Sequence, residues 1–299
     1  KTYMISSEDN GQSWTKPVVI NNTPLDDRDA GIVVTPKGTV IVSWFTSLAF
    51  TDKKSGFYET RYSKYARHAE KITPDIREQW LGNWVRRSED GGLTFSNPIS
   101  VPGHSPHGPV LLSDGRLLYV TNKGVFGSAD DGVTWEKTGE IPTDANTPGL
   151  SEVHAVEAAN GNIIALSRAK KLRQSVSKDG GYSWSIPVET PMQGYPAHIT
   201  RLSNNWLLAT YGRRVEPKPG QRACVSRDNG KTWDIDNEII ISVADMPEEG
   251  EHEYPPSWDL GYPSTVELND GTIYTVYYQM PKSNEKPAIM ATHWKLNKN

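Results

Sequence analysis

Four segments of the chain place histidine, glutamate or tyrosine at the start of an apolar, strand-like run. Side chains of these types can transfer protons and can hydrogen-bond sugars or carboxylates. When several of them converge in one concavity, they form the usual pattern of an active or binding site. The segments are His104-Ser-Pro-His107, Ser151-Glu152-Val-His154, Gly194-Tyr195-Pro-Ala-His198 and Gly261-Tyr262-Pro263.

Three of these residues, His107, His154 and His198, are of a type that binds transition metals. Their separations lack the short spacing of a metal motif, and the sequence has neither a Gly-rich phosphate loop nor a nucleophile elbow. We therefore predict that the histidines hydrogen-bond a sugar or a carboxylate. No metal and no cofactor is predicted.

Five copies of an eight-residue pattern, Ser-x-Asp-x-Gly-x-Ser/Thr-aromatic, indicate the elements that position these side chains. In each copy the Asp carboxylate can accept backbone N–H groups across a turn, and the Gly can adopt a positive φ. One copy would mean little, but five at comparable intervals are a strong repeat signal. The copies span residues 7–14, 88–95, 128–135, 177–184 and 226–233.

Apolar runs recur around these boxes in a constant order. The repeating unit is strand, turn, strand, loop, strand, box and strand, which describes a four-stranded antiparallel sheet. Sheets of this kind, repeated at roughly 40–50 residues, form a β-propeller. We predict an all-β fold, a six-bladed β-propeller of four-stranded antiparallel blades with Asp-box turns, in a single domain over residues 1–299.

The first and last units are shorter than the others. Residues 2–6 lead directly into the first box, and residues 261–296 contain three strand-like runs and no box. We therefore expect an incomplete first blade, with about 40–60 residues before Lys1 missing from this sequence. The alternative is a five-bladed ring in which Pro17–Ile20 closes the last blade as its outer strand.

The innermost strands of a propeller begin around one mouth of its central channel, so the four segments are expected to meet there. The polar segment Asn21–Asp29 opens another inner strand, which makes Asp27, Arg28 and Asp29 further candidates. The alternative is a solvated loop in which Asp pairs with Arg.

One long interruption separates the second and third strands of a blade, from Thr46 to Trp84. Its middle has a helical composition with a break at Pro74. Because an insertion at this position can fold over the rim, we predict a lid or a wall of the site. An oligomer contact is the alternative.

Composition excludes several classes of partner. The net charge of −4 gives no electrostatic reason to expect nucleic acid or an anionic membrane surface. No apolar stretch approaches the roughly 20 residues that a membrane span needs. The single Cys224 excludes an internal disulfide and fits a half-buried strand residue better than a nucleophile.

The boxes are identified as Asp-box (BNR) repeats of the sialidase superfamily, and the resemblance covers essentially the whole chain. More specific matches lie elsewhere. The segment from Glu152 to Arg168 resembles the glutamate, hairpin and arginine of sialidases, and the segment around Tyr262 resembles their nucleophile strand. By this resemblance Tyr262 is the nucleophile, Glu152 its base and Arg168 one of three arginines that bind a carboxylate. Arg222 resembles a second of these three arginines, and Arg213 is the alternative candidate for the same position.

The resemblance implies an exo-glycosidase that hydrolyses a terminal acidic sugar, of the sialic-acid type, from a glycan or oligosaccharide. The remaining arginine and the acid/base aspartate would belong to a part of the first blade before Lys1. Two features differ from the family: Pro263 follows Tyr262 where Ser is usual, and the histidines are not a family hallmark. Further contacts to substrate are expected from Arg28, Asp29, His107, His154, Tyr195 and His198.

Two other functions stay open at this point. One is a related propeller glycosidase or polysaccharide lyase of another specificity, in which a channel histidine acts as general acid or base. The other is a carbohydrate-binding propeller without catalysis.

Overall fold

A computed structural model describes residues 1–55, 58–144, 149–215, 217–244, 260–282 and 285–296, with the side chains of residues 60 and 61 left out. Within these ranges the strands form six antiparallel sheets, in chain order. The first has two strands, β1 (Thr2–Met4) and β2 (Val18–Asn21). The second comprises β3 (Asp26–Val34), β4 (Val40–Ser47), β5 (Asn83–Ser88) and β6 (Ile99–Val101).

The remaining sheets repeat the same order of strands. The third comprises β7 (Val110–Leu111), β8 (Leu117–Thr121), β9 (Gly124–Ser128) and β10 (Glu136–Gly139). The fourth comprises β11 (His154–Glu157), β12 (Ile163–Ser167), β13 (Arg173–Ser177) and β14 (Val188–Glu189). The fifth comprises β15 (Tyr195–Arg201), β16 (Leu207–Arg213), β17 (Gly220–Ser226) and β18 (Ile239–Ile240). The last comprises β19 (Gly261–Glu267), β20 (Ile273–Gln279) and β21 (Ala288–Trp294).

The prediction of an all-β propeller with four-stranded antiparallel blades is confirmed, but the count of six blades is wrong. The described residues form five blades, four with four strands and one with three. The unit that carries the first box forms only the two-stranded sheet, since β1 and β2 pair with each other alone. The count of five blades in the alternative is confirmed, but its closure of the last blade is wrong, because that blade ends at β21 and does not pair with β2.

The apolar core lies between consecutive blades rather than inside any one of them. One cluster combines Ile41 and Val85 with Leu117 and Tyr119 of the following blade. The next three clusters link the later blades in the same way. The third, fourth and fifth sheets therefore bury both faces against their neighbours, which explains strands such as β8, β9 and β12 whose residues are all buried.

The Asp boxes form tight turns after the third strand of a blade, as the pattern predicts. In the second box the Thr94 N–H donates to Asp90 Oδ1 at 2.9 Å, and the Ser88 hydroxyl donates to the same oxygen at 2.7 Å. The Gly92 N–H donates to Ser88 Oγ at 2.8 Å. The Thr94 hydroxyl, which donates to Asp90 Oδ2 at 2.5 Å, does most to stabilise the charged carboxylate, and with the Thr94 N–H and the Ser88 hydroxyl it holds the pKa of Asp90 at about 2. The contacts are local, so the boxes stabilise the blades, and none of their residues lines the cleft described below.

The insertion between β4 and β5 packs beside the start of β3. It contains 3₁₀ helices at Ala49–Thr51 and Ser63–Tyr65, a π-helical turn at Tyr58–Tyr62, α1 (Ala66–Ala69) and α2 (Pro74–Trp80). Phe50 and Ile72 form a small apolar cluster with Leu25. Thr73 caps α2, and Thr46 closes the neck of the insertion through hydrogen bonds to Trp80 and Gly82. The insertion is thus fixed to the segment that leads into Arg28 and Asp29.

Gly31 occupies a position where the innermost strands of two blades touch. A Cβ at Gly31 would lie 2.2 Å from the backbone nitrogen of Gly108. We expect Gly31→Ala to lower the free energy of unfolding by about 2 kcal/mol or more, because backbone atoms cannot move aside as a side chain can.

The control is Gly38→Ala, where φ is +83° and no atom lies within 4 Å of the added Cβ. The strain of a left-handed alanine backbone should by itself lower the free energy of unfolding by about 1 kcal/mol at Gly38. Urea unfolding of both variants measures the difference, and equal losses would contradict the close contact at Gly31.

Candidate active site

Three side chains with acid–base or nucleophilic capacity lie at equivalent places near the start of innermost strands. Asp29, Glu152 and Tyr262 all have φ of +49°. The register of β3 shifts between Arg28 and Gly31, and that of β19 shifts between Gly261 and Ser264. A left-handed non-glycine residue costs of order 1–2 kcal/mol, so it persists only where the surrounding contacts hold it. The bulged backbone aims Asp29 and Tyr262, whereas Glu152 lies in the segment just before β11, which pairs with β12 without a bulge.

The Tyr262 hydroxyl donates a hydrogen bond to Glu152 Oε1 at 2.5 Å. Arg168 Nη1 donates to both carboxylate oxygens of Glu152, at 2.6 and 2.8 Å, and lies 3.5 Å from the Tyr262 hydroxyl. Glu152 precedes β11, and Arg168 directly follows β12, which pairs with β11 as an antiparallel hairpin. The hairpin brings the carboxylate and the guanidinium together, whereas Tyr262 comes from a different blade.

A second arginine, Arg214, extends this cluster and was not found by sequence reasoning. The guanidinium groups of Arg168 and Arg214 lie 5.0 and 5.6 Å from the centre of the Tyr195 ring. Arg214 also donates to the Leu260 carbonyl at 2.8 Å and to the Tyr278 hydroxyl at 3.2 Å. Arg214 directly follows β16 just as Arg168 directly follows β12. This equivalence of position is the feature of the sequence from which Arg214 could have been predicted.

Arg222 and Arg213, the two arginines chosen from the sequence, are directed into the blade instead. The Arg222 side chain is 2% exposed, lies 3.6 Å from Glu238 and donates to backbone carbonyls, including that of Ser242. Arg213 Nη1 lies 3.8 Å from the same Glu238 carboxylate. Neither residue lines the cleft described below, which corrects their assignment as substrate ligands.

The cleft has two adjoining lobes, with cavity volumes of about 450 and 270 Å³. Arg28, Asp29 and Tyr262 line both lobes and so mark their junction. The larger lobe is completed by Ala30, Pro106, His107, Arg214, Ser264 and Tyr278. The smaller lobe is completed by Phe45, His104, Asn122, Ser151 and Glu152.

Burial gives two groups at the junction unusual proton affinities. It raises the pKa of Asp29 to about 6, and the nearby charge of Glu152 adds to this effect while Arg28 opposes it. Burial also raises the pKa of the Tyr262 hydroxyl, and Glu152 raises it further. Tyr262 is therefore a neutral phenol at physiological pH, and a part of the Asp29 population is protonated.

The remaining rim candidates differ in what they face. Arg28 lies 3.4 Å from Asp26, with both side chains 38% exposed, and its guanidinium borders the cleft. Asp27 is buried and accepts hydrogen bonds from the Thr23 backbone at 3.0 Å and hydroxyl at 2.8 Å. Asp27 thus holds the start of β3, whereas the pairing of an Asp with an Arg that the alternative interpretation proposed is made by Asp26 and Arg28.

The three predicted histidines form one cluster. The rings of His154 and His198 stack with centres 4.4 Å apart, and His107 lies 5.2 and 5.3 Å from them. Burial lowers the pKa of all three, to about 4 for His198, so their rings are neutral at physiological pH. His107 lines the larger lobe and contacts Ser264 at 3.3 Å, whereas His154 accepts the Ile199 N–H at 3.1 Å. Within the described ranges no group of three or more ligating side chains is arranged to hold a metal.

One apolar cavity of about 500 Å³ is larger than either lobe but has no catalytic side chains. It lies between the two-stranded sheet and its neighbours and is lined by residues such as Tyr3, Ile20, Ile32 and Tyr274. Asp29, Glu152 and Tyr262 line the two-lobed cleft instead, together with Arg28 and Arg214. The cleft is therefore the candidate active site.

Comparison with known proteins places this arrangement in a family. The model of a BNR repeat-like domain matches residues 69–275, and the chain belongs to that family. No curated protein matches the chain.

Solved structures share the fold at low sequence identity. A protein of unknown function from Dyadobacter fermentans superposes with a TM-score of 0.78 at 20% identity, over 99% of this chain and 84% of its own. The Hadza microbial sialidase Hz136 superposes with a TM-score of 0.67 at 18% identity, over 98% of this chain and 58% of its own. The intramolecular trans-sialidase from Ruminococcus gnavus superposes with a TM-score of 0.60 at 13% identity, over 98% of this chain and 87% of its own. The chain thus spans less than two thirds of the Hadza sialidase, and identities this low show the fold alone.

In the part of the chain that the structure describes, no helix is long and apolar enough to cross a bilayer.

Proposed function

We propose that this protein is a retaining exo-glycosidase that removes a terminal acidic sugar, of the sialic-acid type, from a glycan. The observation that carries the proposal is the 2.5 Å hydrogen bond from Tyr262 to Glu152, with Arg168 bound to the same carboxylate. Sialidases are the glycosidases that use a tyrosine nucleophile in place of a second carboxylate. The fold shared with structures named sialidase and trans-sialidase supports the same class.

The nucleophile is neutral and is activated by its neighbour. Because the pKa of Tyr262 is raised, the hydroxyl ionises only as it reacts. The Tyr262 oxygen forms a bond to the anomeric carbon while its proton passes to Glu152 and the glycosidic C–O bond breaks. A neutral nucleophile suits a substrate that carries its own carboxylate, since an anionic one would repel it.

Asp29 is the proposed general acid, in place of the aspartate before Lys1 that the resemblance to sialidases implied. It borders the cleft beside Tyr262, and its pKa of about 6 leaves it protonated in a useful fraction of molecules. It donates its proton to the departing oxygen and then, as the conjugate base, accepts a proton from the water that cleaves the tyrosyl intermediate. That second step returns Glu152 and Tyr262 to their starting protonation states.

The carboxylate of the substrate is bound by cations on the larger-lobe side. Arg214 lines this lobe, Arg168 lies beside Tyr262, and Arg28 borders both lobes. Guanidinium groups form paired, charge-assisted hydrogen bonds with carboxylates, which suits an acidic sugar.

Replacement of the nucleophile tests the mechanism directly. We expect Tyr262→Phe to lower kcat on an α-sialoside at least about 100-fold, because the reacting oxygen is removed. The matched control is Tyr277→Phe, which alters a buried tyrosine of the same sheet whose hydroxyl contacts Thr292 at 2.9 Å. Binding of the sialoside by the wild type without any product would instead indicate a carbohydrate-binding protein.

Replacement of Arg214 tests the carboxylate site. We expect Arg214→Gln to raise KM about 10-fold or more, since a charge-assisted pair is lost. The adjacent Arg213→Gln is the control, because Arg213 is directed to Glu238. That variant should lower the melting temperature and leave KM near the wild-type value. The opposite pattern, with KM raised by Arg213→Gln alone, would contradict this assignment.

The pH dependence tests Asp29. Because the acid must be protonated and its pKa is about 6, we expect kcat/KM to fall as pH rises through about 6. In Asp29→Asn this alkaline limb should disappear, and the rate on a sialoside with a sugar leaving group should fall about 100-fold. An aryl sialoside, whose leaving group needs little protonation, should be affected much less. An unchanged alkaline limb in the variant would exclude Asp29 as the acid.

A further inference from the structure

The fourth Asp box, at 177–184, carries an aromatic side chain that its turn does not require. The sixth position of this box is Tyr182, and the other four boxes have Gln, Leu, Val or Lys at the same position. The backbone N–H of Tyr182 joins the turn by donating to Asp179 Oδ1 at 3.2 Å, whereas the residue as a whole is 56% exposed. Since the turn forms with any of these side chains, the exposed ring is available for another role.

The Tyr182 ring is held at the outer edge of the third sheet. The Arg116 guanidinium lies 5.5 Å from the centre of the ring, and Arg116 itself donates to Asp114 Oδ2 at 2.8 Å and to the Gly180 carbonyl at 3.3 Å. A Cβ at Gly139 would lie 2.6 Å from the Tyr182 carbonyl oxygen, so the backbone of the box lies directly against the end of β10. The ring is therefore preorganised, which lowers the entropic cost of binding a ligand.

A cavity of about 280 Å³, here called the rim pocket, opens between this ring and the third sheet. Its lining includes four polar side chains besides those of Tyr182 and Arg116, namely Asp130, Thr134, Glu136 and Thr138. Among the described residues it shares no lining with either lobe of the cleft. Small-molecule sites usually measure about 300–1,000 Å³, so the rim pocket suits one ring of a larger ligand.

We propose that the rim pocket is a second carbohydrate site, which binds a neutral sugar ring of a glycan with Tyr182 as the stacking surface. The C–H face of a pyranose is apolar and carries partial positive charge, so it packs against the negative face of an aromatic ring. Sugar hydroxyl groups donate to carboxylates in charge-assisted hydrogen bonds. Glu136 is exposed at the pocket and supplies such an acceptor, whereas the Asp130 carboxylate already accepts bonds from Ser128 and Thr134.

The charges of the rim pocket favour a neutral sugar over an acidic one. The charge of Arg116 is offset by the Asp114 carboxylate, 2.8 Å away. Asp130 and Glu136 then give the lining a net negative charge, which repels the carboxylate of an acidic sugar. The specificity is thus the reverse of that proposed for the larger lobe of the cleft, which is lined by Arg214.

A second site of this kind adds binding to the proposed hydrolysis and does not depend on it. A glycan held at the rim pocket by a neutral ring keeps its other chain ends at a raised local concentration around the protein. The rim pocket therefore gives the protein affinity for the neutral part of a glycan, whichever sugar the cleft accepts.

Titration with neutral disaccharides tests the rim pocket. Lactose, maltose and cellobiose are each added to the wild type, and binding is followed by saturation-transfer NMR and calorimetry. We expect at least one of them to bind, and Tyr182→Ala to raise its Kd about 10-fold or more, because the stacking surface is lost. Tyr182→Trp should retain binding. Glu136→Gln should weaken it about 3-fold or more, since a charge-assisted hydrogen bond becomes a neutral one.

The matched control is Leu93→Ala, which truncates the 82% exposed side chain at the same position of the second box. It should leave the Kd of the disaccharide unchanged. If none of the three disaccharides binds the wild type, or if Tyr182→Ala binds as tightly as the wild type, the rim pocket is not a carbohydrate site.

These titrations also separate the rim pocket from the proposed function. The disaccharides contain no acidic sugar, so their binding does not require hydrolysis. If the wild type turns over no sialoside, the proposed function fails, but disaccharide binding that is lost in Tyr182→Ala still supports the rim pocket. Turnover of sialosides without any disaccharide binding would retain the proposed function and overturn the rim pocket.

Discussion

The close packing of innermost strands around one channel is the constraint on which the rest of the structure depends. At two places adjacent blades approach so closely that only glycine fits, Gly31 against Gly108 and Gly212 against Gly261. At this separation the first residues of different blades must meet, although they are far apart in the chain. The apolar clusters between blades maintain the approach, since the third, fourth and fifth sheets bury both faces against their neighbours.

The active-site candidates occupy the places where this packing distorts the strands. Asp29, Glu152 and Tyr262 are held in left-handed conformations that a regular strand would not tolerate. The distortion turns each side chain toward the cleft, and the hydrogen bond between Glu152 and Tyr262 helps to hold two blades in register. Strain of this kind is maintained by surrounding contacts and is common at functional sites.

Charge is divided between the cleft and the blade interior. Arg168 and Arg214 lie beside the Tyr195 ring, where they can meet an anion. Arg222 is neutralised inside the blade by Glu238. A buried arginine without such a partner would be strongly destabilising, so Glu238 explains how Arg222 is tolerated. The same residue type therefore serves stability at one position and supports a binding role at another.

The sequence determined the all-β propeller and its turns, because those features depend on local contacts. The Asp-box hydrogen bonds join residues two to four positions apart, and Glu152 reaches Arg168 across a single hairpin. The tertiary structure alone decided the number of blades, since that depends on which distant strands pair. It also decided which arginine faces the cleft, because one step along a strand reverses the direction of the side chain. The contact of Tyr262 with Glu152 joins residues 110 positions apart in the chain. The distance between them depends on how the blades are arranged around the channel, which a local sequence pattern does not specify.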